Sequence, residues 1–246
     1  MKKFTMLATT FVASTLSLSF VNNISQAEAA SLVPQQEGEI ALTNVACFTG
    51  NCISTAPLGY TISSEVYSPN YKPSLLFSDK SSTVNNYSNQ SNPGIVIKFT
   101  TPDAGTNPTA IENWFRPVAI KPNGNVVENG QLEVGQFKFN FAQTISELEL
   151  SFFDIEQSGT AILNVNGVAV NQGILAASDS NIKKVKLTNV DSFVIRLGSI
   201  GGNFKYGDGV LLKASTPEPA STLSLGALVL GSMFGLRKSK KSSPAA

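Results

Sequence analysis

In "LEVGQFKFNF" the rings of Phe137, Phe139 and Phe141 recur at every second position, with Lys138 and Asn140 between them. Residues two apart share a face only in an extended chain, so this stretch is committed to a half-buried β-strand. The runs "SELELSFFDIE", "TAILNVNGVAV", "IKKVKLTNV", "SFVIRLG" and "FKYGDGVLLK" continue the theme. Asn166-Gly167, set between two alternating runs, predicts a two-residue hairpin, because both residue types tolerate positive φ. Upstream, "GIVIKFTTP" predicts a strand ended by Pro102, "ENWFRPVAI" a short strand limited at Pro117, and "KPNGNVVENG" carries two Asn-Gly turn signals. Short strands at spacings of about 8 to 14 residues, with no helix-period segment between them, predict an all-β fold. The expected architecture is an antiparallel β-sandwich of jelly-roll kind, and parallel α/β designs are disfavoured.

The two ends read differently. Lys2 and Lys3 precede an apolar stretch from Phe4 to Val21, and Ala27-Glu28-Ala29 then supplies small residues at the positions a signal peptidase reads. Residues 1–29 are therefore expected to be a signal peptide, helical in its apolar part. At the other end, Ala220 to Leu236 carries no charge and is about the shortest length that can span a bilayer as a helix. Arg237, Lys238, Lys240 and Lys241 follow it, a basic stop that should stay cytoplasmic. Pro217, Glu218 and Pro219 come just before the span, and the two prolines keep that hinge out of a helix.

Export changes the meaning of the only two cysteines. Cys47 and Cys52, in "CFTGNC", are expected to close a small disulfide ring in an oxidising compartment. A ring this short is a local staple worth on the order of 2 kcal/mol. A redox-active pair is less consistent with the spacing, and a two-cysteine metal site would need further soft ligands that the chain lacks.

Without the presumed signal and tail, 12 basic and 15 acidic residues remain, a net charge of −3. A mildly acidic body argues against nucleic-acid binding, which needs a basic face. The chain has no histidine, which removes Ser-His-Asp and Cys-His nucleophile systems and the usual His-based zinc sites. Carboxylate pairs are what remains for acid–base work, as in an extracellular glycan hydrolase. The division expected along the chain is residues 1–29 as signal, 30–93 as an irregular section with some strand, 94–215 as the sandwich core, beginning as early as residue 40, and 216–241 as a sorting segment.

"TPEPASTLSLGALVLGSMFGLRKSKK" resembles the PEP-CTERM sorting signal, in which Pro-Glu-Pro, a membrane span and a basic end occur in that order. The resemblance implies handling by signal peptidase and an exosortase-type enzyme. It implies a precursor held at the membrane and a mature form at the cell surface or in the extracellular matrix of a Gram-negative-type bacterium. "ENWFRPVA", "LEVGQFKFNF", "FFDIE" and "YGDGV" further resemble a PEP-CTERM subgroup named for its Leu-Glu-Val-Gly motif, here Leu132 to Gly135. No activity carries over from it.

Three sets of residues are candidates for function. Asp154 and Glu156, two apart at a strand end, together with Asp208 between two glycines, offer hard oxygen ligands suited to Ca²⁺; a solvated strand end is the plainer alternative. Asn113, Trp114 and Arg116 could stack on and hydrogen-bond a sugar of an extracellular polysaccharide. The alternative is that the sole Trp is core, and alternation allows only one of Trp114 and Phe115 inside. Glu147 and Glu149 share a face opposite Leu148 and Leu150 and are expected to lie on the wet side of a half-buried strand. The function expected is a non-enzymatic, structural or glycan-binding surface protein, with the hydrolase as the alternative.

Overall fold

The computed structural model describes residues 29–99, 109, 111–126, 133–178, 180–199 and 209–215. Residues 1–28 of the expected signal peptide, and Pro217, Glu218, Pro219, Arg237, Lys238, Lys240, Lys241, Leu132 and Asp208, lie outside the described residues. Among those described, the chain forms twelve strands, one 3₁₀ turn (Ala56–Leu58) and no α-helix. The strands are β1 (Ala30–Ser31), β2 (Gly38–Glu39), β3 (Tyr60–Glu65), β4 (Lys72–Asp79), β5 (Asn85–Ser88), β6 (Val96–Phe99), β7 (Trp114–Ile120), β8 (Gly135–Phe153), β9 (Ala161–Val165), β10 (Val168–Gly173), β11 (Ile182–Leu197) and β12 (Gly209–Ala214). All strand pairs are antiparallel.

Two long strands organise everything else. What the sequence shows as separate alternating runs is continuous: β8 spans 19 residues and β11 spans 16, and they pair from end to end. Their register shifts where Val190 opposes Ile145 and Ser192 opposes Asn140, so the pair bends there. Before the bend, β8 is flanked by β3 and by the second half of β11, which leads on to β9 and β10. After it, β8 pairs with β12, which leads to β7, β4 and β2. The two halves close on one another as a β-sandwich, and Phe115 of β7 meets Phe139 of β8 across the gap at a ring distance of 5.9 Å. Phe139 also stacks on its cross-strand partner Phe193 at 4.6 Å. The phenylalanine alternation thus does what period two requires: Phe137 and Phe139 are buried, while Lys138 and Asn140 face out. The predicted hairpin joins β9 to β10, with Asn166 at φ 52° and Gly167 at φ 81°.

Residues 30–93, expected to be an irregular section with some strand, supply β1 to β5. β3 and β4 belong to the same sheet as the later strands, and Leu75, Leu76 and Phe77 of β4 are fully buried. "SLLFSD" lacks period two because both faces of β4 are covered. Leu76 turns to the main core. Leu75 and Phe77 turn to a second core with Phe48, Ile97, Phe99 and Val118, roofed by the β5–β6 hairpin. Ser74 and Ser78 are buried too, each donating to a backbone carbonyl, of Val134 and Pro34 respectively, at 2.8 Å.

β7 also runs on through Pro117, where an end was expected. The carbonyl of Leu76 is taken by Ile40 N–H, so Leu76 and Pro117 form a non-hydrogen-bonded pair. The missing N–H therefore points toward β12, whose pairing with β7 sits at Phe115 and does not extend to Pro117.

Candidate functional site

The disulfide expected between Cys47 and Cys52 is present, with Cα atoms 5.9 Å apart. Its loop wraps a side chain that sequence reasoning missed. Glu39, buried, accepts hydrogen bonds from the N–H groups of Phe48 (2.8 Å) and Thr49 (2.7 Å). Burial pushes its carboxyl above the usual carboxylate range, and the two N–H donors only partly offset this. Glu39 and the two sulfurs are the one grouping of metal-ligating type among the described residues, and the sulfurs are committed to each other. No sequence signal could have paired Glu39 with the ring, because the contact depends on how the loop folds back.

Asn113, Trp114 and Arg116 do not form a surface platform; all three are buried. The expectation that only one of Trp114 and Phe115 could be inside fails because both faces of β7 are covered: the roof lies over Arg116 and Val118, and Trp114 is covered by Phe153. Trp114 packs edge-on against Phe153 at 5.5 Å. Asn113 donates to Ser78 Oγ at 2.9 Å. Arg116 lies over the Phe99 ring at 4.4 Å and is held between two acids, Asp79 at 2.7 Å and Glu133, with which it pairs through both Nε and Nη2. Burial opposes the guanidinium's charge, but Glu133 and Asp79 outweigh it and hold Arg116 firmly protonated. Asp79 is moved upward by burial, against the pull of Arg116 and of Asn85, which donates to it at 2.7 Å. This cluster is a closed ionic core.

Asp154 and Glu156 do not share a strand face. β8 ends at Phe153, and Asp154 takes a left-handed conformation, φ 56°. It is buried and accepts the Ser180 N–H at 3.0 Å, so it ties a loop to the strand end. Its third proposed partner, Asp208, lies outside the described residues. Glu147 and Glu149 are on the wet face, where Lys186 and Lys184 reach them at 2.9 and 2.8 Å.

The open surface lies on the other half of the same strand pair. The outward side chains of β3, β8, β11 and β9 are Thr61, Ser63 and Glu65; Gln136, Lys138 and Asn140; Ser192, Val194 and Arg196; and Leu163 and Asn164. Two grooves of about 350 Å³ each lie on this face and meet at Leu163. One is lined by Glu65, Gln136, Lys138, Asn164, Ser192 and Val194. The other is lined by Ser158, Thr160, Asn171, Ile174, Leu175 and Arg196. Gln136 donates to Glu65 at 2.6 Å, while Lys138 and Arg196 have no carboxylate partner among the described residues. Such a face can offer hydrogen bonds and positive charge to a solute, with apolar patches at Leu163 and Leu175. Period two marks these positions as outward except on β9, where a register shift lets the neighbours Leu163 and Asn164 both face the grooves, and only the neighbouring strands reveal that the positions line grooves.

Scans against protein-family models, curated proteins and solved structures found no match.

Proposed function

We propose that this chain is an exported, surface-sorted β-sandwich protein of jelly-roll kind that binds extracellular glycan without catalysis. The observation that carries the reading is the grooved outward face of β3, β8, β11 and β9, which is rich in amide, hydroxyl and cationic groups and flanks two contiguous grooves. The signal-like start and the Pro-Glu-Pro, span and basic end give the address, and the Cys47–Cys52 bond suits an oxidising compartment. Among the described residues the two grooves hold a single carboxylate, Glu65, whereas a retaining or inverting hydrolase needs two across the scissile bond.

Retention of the full mature chain on immobilised extracellular polysaccharide tests the binding role. Replacing Gln136 and Asn164 together by Ala should reduce retention; retention of the wild type on no glycan removes the proposal. Mass spectrometry of the protein from the surface fraction should find a start near Ala30 and an end near Pro217, and an intact C-terminus would break the sorting argument. A contribution from Ca²⁺ would show as a rise in melting temperature in millimolar Ca²⁺ that a chelator reverses.

A further inference from the structure

We infer that the groove beside Arg196 is a carboxylate subsite, so that the glycan recognised is an acidic one built from uronic acid residues; this rests on the glycan-binding reading above. Arg196 sits on β11 opposite Gln136 of β8 and Ala161 of β9. Its Nε donates to the carbonyl of Gly159 at 2.8 Å, and that bond fixes the plane of the guanidinium. No acid among the described residues neutralises it. By contrast, Arg116, Lys184, Lys186 and Lys213 each lie within 2.9 Å of a carboxylate. A guanidinium held at Nε still presents a planar fork of N–H donors, which matches the two oxygens of a carboxylate.

The wall that carries Gly159 is rigid. Gly159 has φ 147°, and a Cβ there would lie 2.6 Å from the Gly198 carbonyl oxygen, so the loop is packed flat against that of Gly198. Gly198 N–H donates to Thr160 Oγ1 at 2.9 Å, and Ile174 N–H donates to the Thr160 carbonyl at 2.9 Å. An anion entering the groove therefore meets a donor set already in place, which lowers the ordering cost of binding. Ser158 and Asn171 line the same groove with hydroxyl and amide groups, and Leu163 and Leu175 offer apolar area to the C–H face of a sugar ring. Across Leu163, Lys138 stands in the adjoining groove, positioned for the charge of a neighbouring sugar residue.

Sulfated sugars share the anionic character, but their tetrahedral group matches the planar fork less well. The test is calorimetric titration of the full mature chain with four polymers: polygalacturonate, its fully methyl-esterified form, dextran and dextran sulfate. Polygalacturonate should bind roughly tenfold or more tightly than its ester, and the preference should shrink as salt rises. In Arg196→Gln that preference should vanish while binding of the ester persists, and Arg196→Lys should restore part of it. Because Arg196 also holds Gly159, the ester serves as the fold control: equal losses on acid and ester would make Arg196 merely structural and overturn the inference. Equal wild-type affinity for acid and ester, or a preference for the sulfated polymer, would overturn the carboxylate assignment while leaving glycan binding standing. Binding to none of the four would remove both.

Discussion

Arg116 and Arg196 both sit on strands of one sheet, yet they stand in opposite electrostatic situations. Arg116 is roofed by the β5–β6 hairpin and locked between Asp79 and Glu133. Arg196 is half-buried, held by a backbone carbonyl with no acid partner among the described residues, and faces a groove. A buried guanidinium must bring its counter-ions inside with it, because an unpaired charge there would cost several kcal/mol. One at a groove can remain unmatched, since water solvates it until a ligand arrives. Charge matching, more than the presence of an arginine, separates the part that holds this molecule together from the part that can bind.

The comparison breaks most visibly at Arg116. Arg116→Met removes the cation held between two buried carboxylates and should lower the unfolding free energy by roughly 3–5 kcal/mol in chemical denaturation. The pH dependence has a definite sign. A carboxyl whose folded pKa lies above its unfolded value stabilises the fold at low pH, and that contribution is lost as pH rises through the folded value. Asp79 is already raised, and losing Arg116 raises it further. The deficit of the variant should therefore shrink as the solution is acidified, and a deficit that grows toward acid would contradict the burial argument.

Removing the disulfide is expected to rank second. Phe48, inside the Cys47–Cys52 ring, belongs to the roof core over Arg116, so replacing both cysteines by Ser should cost on the order of 2 kcal/mol. Hydrogen exchange should quicken in β5 and β6 while β9 and β10 stay as they were. Uniform quickening would show that the ring braces the whole sandwich.

Arg196→Gln should cost about 1 kcal/mol or less, the worth of one hydrogen bond. A loss as large as that of Arg116→Met would erase the distinction between the two sites. Smallest of all is Lys186→Ala, on the exposed ladder, which should leave the denaturation midpoint unchanged within error. The ladder is still visible spectroscopically. The hydrogen bond from Lys186, then that from Ser215, lowers the Glu147 carboxyl, so its NMR titration should run below the ordinary glutamate range. Its small contribution is present above the unfolded pKa and lost as pH falls through the folded one.

How far the chain was legible follows from which faces are covered. Where one face is wet, as in the phenylalanine run of β8 and the Glu147–Leu150 stretch, alternation named both the strand and the direction of each side chain. Where both faces are dry, as in "SLLFSD" and "NWFRPVAI", period two disappears. There the sequence suggested an irregular section and an early end, and left Trp114 open between core and sugar platform; the structure makes the first β4, carries β7 on through Pro117 and buries Trp114. Glu39, drawn into the disulfide ring, and Asp154, turned left-handed past its strand end, depended on chain reversals that leave no local pattern.

The sequence by itself determined the β class, the Asn166-Gly167 turn and the cysteine pair, because period two, turn chemistry and short-range ring closure are local properties. Only the tertiary structure decided which charges are spent and which are open. A side chain's partner is chosen by strand order and register, which bring Arg116 to Asp79 and Glu133 and leave Arg196 without an acid among the described residues.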